Sequence, residues 1–116
     1  MEVTAWNNGA HYSTGAGYGF KVNAKDRDTH FDKLWKSVFV SLPSKEIEVE
    51  VNIAKSSFWN DTCRELINQE FGRWLIEKGY APWPAGAPPK FHLRHASGNH
   101  FRLEILWRQR IIEVRI

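Results

Sequence analysis

The chain has 116 residues, room for one domain and little more, and its 42% hydrophobic and 14% aromatic content excludes a disordered segment. Its single cysteine, Cys63, excludes an intramolecular disulfide and a multi-cysteine zinc site. The formal charge of +3 is uneven: residues 90–116 hold six Lys/Arg against Glu104 and Glu113, a net of +4, so the rest of the chain sums to −1.

From the N-terminus, "MEVTAWNNGA" carries an acid and no apolar run, so no secretory signal is expected. No stretch approaches the ~18 apolar residues of a membrane span, and the cytoplasm is the simplest compartment. A short strand is expected near Ala10–Ser13. "GYGFKVN", 17–23, reads as a strand with Tyr18, Phe20 and Val22 on one face. A turn and a short helix near 29–36 follow. Asp28 or Thr29 would be the N-cap, and Phe31, Leu34 and Trp35 would share one side.

"SVFVSLPSKEIEVEVNI" reads as a hairpin. Its second strand alternates, with Ile47, Val49, Val51 and Ile53 inward and Glu46, Glu48, Glu50 and Asn52 outward. Pairing Leu42 with Ile47 and Val40 with Val49 leaves a four-residue connection, Pro43–Glu46. Residues 58–78 carry Trp59, Cys63, Leu66, Ile67, Phe71, Trp74 and Leu75 at helical spacing, which predicts one long helix. Its start would be capped by Ser57, or by a box of Thr62 and Glu65. Arg73 and Glu77 would pair on its outer side, and Gly79 would stop it. Cys63, on the apolar stripe, reads as a buried structural thiol.

"GYAPWPAGAPPKFHLRH", 79–95, places prolines 82, 84, 88 and 89 around Trp83. None can continue a helix or donate to a sheet ladder, so an extended, stiff connector is expected. Trp83 would either pin it to the core or contact a ligand. In the final hairpin a three-residue loop, Ala96–Ser97–Gly98, pairs Leu93 with Phe101 and Phe91 with Leu103, with Gly98 in the left-handed position that the associated bulge needs. His92, Arg94, His100 and Arg102 then share the opposite face, with Lys90 beside Glu104. "RIIEVRI", 110–116, closes the chain as an apolar strand, paired within the sheet or offered to another subunit.

The run "SSFWNDTCRELINQEFGRWLIEKGYAPWPAGAPPKFHL" carries a resemblance through "FW…C.EL", "WL…G.APWP.G.PP.F.L" and "GN.F.L". Over residues 56–106 the chain resembles small bacterial single-domain proteins of the integron gene cassette and mobile-element kind. The resemblance implies a compact stand-alone domain, often oligomeric. No activity or catalytic residue attaches to that group, so none carries over.

Several chemistries fail on spacing. "GAGYG" lacks the last glycine of a dinucleotide fingerprint and no phosphate-loop lysine follows it. "DRDTHFD" has Phe31 and Ser37 where a calcium loop needs glycine and glutamate. His92 and His95 on a strand point to opposite faces, a poor joint metal site. No cofactor or metal is expected. What remains is the basic face of His92, Arg94, His100 and Arg102, whose mutual repulsion calls for a counter-charge, from an anionic ligand or from the acids of the fold.

The expected architecture is α+β: a curved antiparallel sheet of about five to six strands packed around one long helix, 58–78. The expected function is a non-enzymatic binding module, self-associating as a dimer through an edge strand. Two alternatives stand beside it. One is binding of nucleic acid or another anion through the hairpin face 90–102. The other is a small-molecule enzyme or carrier with a pocket between helix and sheet, using His95 or His30.

Overall fold

A computed structural model describes residues 1–106, and these form a curved, nearly closed seven-stranded sheet with three short helices. The strands are β1 (Glu2–Asn7), β2 (Tyr18–Val22), β3 (Ser37–Ser41), β4 (Glu48–Asn52), β5 (Glu65–Ile67), β6 (Lys90–Ser97) and β7 (His100–Ile105). The helices are α1 (Ala24–His30), α2 (Ser56–Trp59) and α3 (Gln69–Glu77). Sheet order is β4-β3-β7-β6-β1-β2-β5. Every pair is antiparallel except β3–β7, which is parallel, so the sheet is mixed rather than purely antiparallel. Its two edges approach each other: Asn68, just after β5, donates its side-chain amide to the carbonyl of Glu50 on β4 at 3.0 Å. No helix among the described residues is long and apolar enough to cross a membrane.

The alternation in β2 and β4 is as expected: Tyr18, Phe20, Val22, Val49, Val51 and Ile53 are all buried. Val40 pairs with Val49, but the strands part after Ser41 and Glu48, which leaves Ile47 65% exposed outside the ladder. The first strand is Glu2–Asn7, not Ala10–Ser13. Val3 and Ala5 face the core, while Asn7 folds the next residues into a loop by accepting from the backbone N–H groups of Gly9 and His11.

The long helix 58–78 is broken into α2, β5 and α3. Asparagine side chains at both ends of the gap supply the reason, since they offer the backbone hydrogen bonds that compete with a helix. Asn60 Oδ1 accepts from the N–H groups of Thr62 and Cys63, ending α2 in a turn. Arg64 then takes a left-handed φ of 63°. Asn68 caps α3, accepting from Glu70 N at 2.8 Å. The stretch between pairs with β2 and buries Leu66 beside Phe20. Cys63 therefore lies half-buried in a turn, not on a helical stripe, and no Thr62–Glu65 capping box forms. Arg73 bonds Glu70 rather than Glu77, which pairs with Lys45 at 2.9 Å.

α3 ends as expected. Gly79 takes φ 80°, its N–H bonds Ile76 O and that of Tyr80 bonds Leu75 O, the Schellman arrangement. The buried face of α3 is Phe71, Trp74 and Leu75. Phe71 packs on Phe20 at 5.0 Å and Trp74 on Phe91 at 5.5 Å, and Trp74 Nε1 donates to Pro43 O. Each such side chain contributes about 1.5–3 kcal/mol on burial. The short helix also sits one turn earlier than 29–36: Asn23, not Asp28 or Thr29, caps α1. Phe31 leaves it extended and stacks on Phe101 at 4.7 Å, and Leu34 stands 90% exposed.

Arg27 on α1 is buried, and its guanidinium donates to the carbonyls of Phe58 and Asn60 at 3.1 and 2.6 Å. It thereby caps the C-terminal end of α2, whose last carbonyls lack helical partners. The proline segment is not uniformly extended: Pro84–Ala87 closes a turn, after which Pro89 O accepts from Ala5 N and prolongs the β1–β6 ladder. The expected strand 110–116, on which an edge-strand dimer leans, lies outside the described residues.

Two predictions follow from this packing. Alanine is normally the better helix former, yet a Cβ on Gly72 would lie 2.1 Å from Gly15 O. Gly72→Ala should cost ~3 kcal/mol in urea denaturation, whereas Gly79→Ala, strained only in its own φ, should cost ~1 kcal/mol. Arg27→Met leaves the Phe58 and Asn60 carbonyls unpaired and should lower unfolding free energy by ~3 kcal/mol in the same assay.

Candidate nucleic-acid interface

The final hairpin places the basic residues on the outer face, by a different route from the expected one. The loop is the two-residue Gly98–Asn99, and the odd residue is absorbed by a bulge between His95 and Ser97. Gly98 takes φ 54° at the first central position, where a II′ turn places glycine. Leu93 consequently faces Leu103, not Phe101, and Phe91 faces Ile105 rather than Leu103. A slip of two residues keeps every side chain on its face. Phe91, Leu93, Phe101 and Leu103 are buried, while His92, Arg94, His100 and Arg102 point outward, each exposed or half-exposed.

The slip changes the neighbours. Glu104 lies across from His92, not beside Lys90, and reaches both Arg94 at 3.1 Å and His92 at 3.9 Å. Lys90 pairs with Glu2 at 3.7 Å. His100 Nδ1 bonds Glu48 Oε2 on β4 at 2.8 Å. The fold thus supplies a counter-charge to three of the four basic residues. Arg102 is the exception: it lies directly opposite Arg94, and among the described residues it has no acidic partner. Its side chain borders an open cleft of about 370 Å³ shared with Ser41, Lys45 and Glu104.

Aromatic residues on the same outer surface escape sequence inspection. Phe39 alternates with the buried Val38 and Val40 on β3, so it faces out, half-buried. The parallel pairing of β3 with β7 sets it against His100, and the rings stack at 5.0 Å and 15°. Arg102 follows His100 by one outward step on β7, across from Ser41. Trp6 likewise faces out from β1, across from Gly19. The alternation of "SVFVS" marked Phe39 as outward in principle, but only the β3–β7 crossover gives it an imidazole neighbour.

Trp83 belongs to a different place. It packs edge-on against Tyr18 at 5.7 Å and His11 at 5.1 Å, over the rim of the core. Tyr18 is buried, and its hydroxyl lies 2.8 Å from His11 Nδ1. Trp83 thus makes packing contacts while staying half-buried. His95 turns back to bond Gly98 O at 2.6 Å and leans on Phe101, and His30 ends α1. The space between α3 and the sheet is occupied by the Phe20, Phe71, Trp74 and Phe91 rings in mutual contact. No group of three or more metal-ligating side chains occurs among the described residues.

Burial raises the Tyr18 phenol above its ordinary value. A raised folded value stabilises the fold below the ordinary phenol range near pH ~10 and loses that contribution as pH climbs through the folded value. Tyr18→Phe should cost ~1 kcal/mol at neutral pH through the lost hydrogen bond. That deficit should shrink in alkaline solution, as followed by denaturation of both proteins across pH.

Comparison with protein-family models, with curated proteins and with solved structures finds no match to this chain.

Proposed function

We propose that this domain is a non-enzymatic binding module that holds single-stranded nucleic acid on the outer face of its sheet. The observation that carries the reading is the stacked Phe39–His100 pair standing next to Arg102, a cation without an acidic partner among the described residues. Single strands are bound sequence-tolerantly by aromatic faces on which bases stack and by cations that follow the phosphates. Phe39 and His100 offer the stacking surface, Arg102 a phosphate contact, and Arg94 a second one in exchange with Glu104.

The acids Glu48 and Glu104 already lie within this face, so the affinity is modest and strongly salt-dependent. The buried charged groups do not compete for a catalytic role. Arg27 caps α2, and Glu65 lies 3.9 Å from Lys21.

Fluorescence anisotropy with a labelled mixed-sequence single strand tests the proposal. Phe39→Ala should weaken binding by ~1–3 kcal/mol. Arg102→Ala should lower the slope of log affinity against log salt by ~0.7. Glu104→Gln, which releases Arg94, should tighten binding. A triple variant lacking Phe39, Arg94 and Arg102 that binds as well as the parent, or equal binding of poly-glutamate, overturns the reading.

A further inference from the structure

A second recess lies where the α1–β3 connection meets the turn from β4 into α2. It measures about 450 Å³ and is lined by Lys33, Ala54, Lys55, Ser56, Trp59 and Asn60. That volume suits a small ligand. The polar atoms around it divide in an informative way. The acceptors of Asn60 are occupied: its Oδ1 takes the N–H groups of Thr62 and Cys63, and its backbone O takes Arg27 Nη1. The indole N–H of Trp59 is used as well, donating to Ile53 O at 2.9 Å.

What remains can donate. The ammonium groups of Lys33 and Lys55, the side-chain NH₂ of Asn60 and the Ser56 hydroxyl make no hydrogen bond or ion pair among the described residues. Two free ammonium groups, an amide and a hydroxyl suit a ligand with several acceptor oxygens and negative charge. Of the acids near the lining in sequence, Asp28 pairs with Arg27 and Asp32 accepts from Leu34 N, while Asp61, next to Asn60, is exposed.

The apolar part of the lining is the half-buried Trp59 ring. The Arg27 guanidinium sits 5.6 Å from its centroid and Phe58 packs against it edge-on, so the indole is held in place before any ligand arrives. A fixed ring beside a donor cluster accommodates a planar group joined to an anionic head.

We infer that this recess binds a small phosphate monoester carrying a planar ring, with the phosphate on Lys33 and Lys55 and the ring against Trp59. The inference is independent of the outer-face reading, which uses β3 and β7. Amide and indole NMR titration of the full chain tests it, with phenyl phosphate and adenosine monophosphate as probes and phenol, adenosine and inorganic phosphate as controls. Saturable movement of the Trp59 indole and the Lys55–Asn60 amides is expected with a ring-bearing phosphate. The indole should not move with inorganic phosphate, and the unphosphorylated rings should bind about tenfold or more weakly. Lys33→Gln with Lys55→Gln should weaken binding about tenfold while the signals of Phe39 and His100 stay unchanged. Silence of the Trp59 indole at millimolar concentrations of both probes, equal binding of phenol or adenosine, or full affinity in the double lysine variant overturns it.

Discussion

The fold depends on one docking event, the seating of α3 on the inside of the curved sheet. Phe71 and Trp74 meet Phe20 and Phe91 there, and Gly72 lets the helix backbone approach the loop at Gly15 closely enough that no side chain fits between them. Dense packing of this kind fills the space between α3 and the sheet with rings in mutual contact. It also fixes the sense of every strand, because each buried side chain commits its two neighbours to the outside.

Around this core, polar residues act mainly as joints. Arg27 ends α2, Asn60 turns the chain, and Asn68 both starts α3 and bridges the two sheet edges. A sheet of seven short strands would otherwise present two unpaired edges, which invite unwanted pairing. Among the described residues, the Asn68–Glu50 bond draws these two edges towards each other.

The outer face shows a partial balance of charge. Among the described residues, Glu104 and Glu48 quiet three of the four basic groups, and the cross-strand Arg94–Arg102 pair has one acid between two guanidiniums. The Trp59 recess is balanced differently, the acceptors of Asn60 being consumed by the fold while Lys33 and Lys55 make no ion pair among the described residues. In both places cationic groups stand out, yet the geometry separates them: a flat aromatic strip in one and a shallow open corner beside an indole in the other.

Alternation and glycine placement alone determined the α+β class, the inward faces of β2, β4, β6 and β7, and the Gly79 stop, because these rest on periods of two and on local φ. Outward placement of His92, Arg94, His100 and Arg102 was legible for the same reason. The division of 58–78 was not, since Leu66 is apolar at a position that suits a helix stripe and a three-residue strand equally, and only pairing with β2 decides between them. A bulge and a left-handed Gly98 were legible at this loop, but the place of the bulge between His95 and Ser97 was not, because a loop residue and a bulge residue satisfy the same parity. Tertiary structure alone decided which acids meet which bases, the parallel β3–β7 contact that stacks Phe39 on His100, and the corner that unites Lys33 with Trp59. Those neighbours lie far apart in sequence, and no local pattern records a distance across the fold.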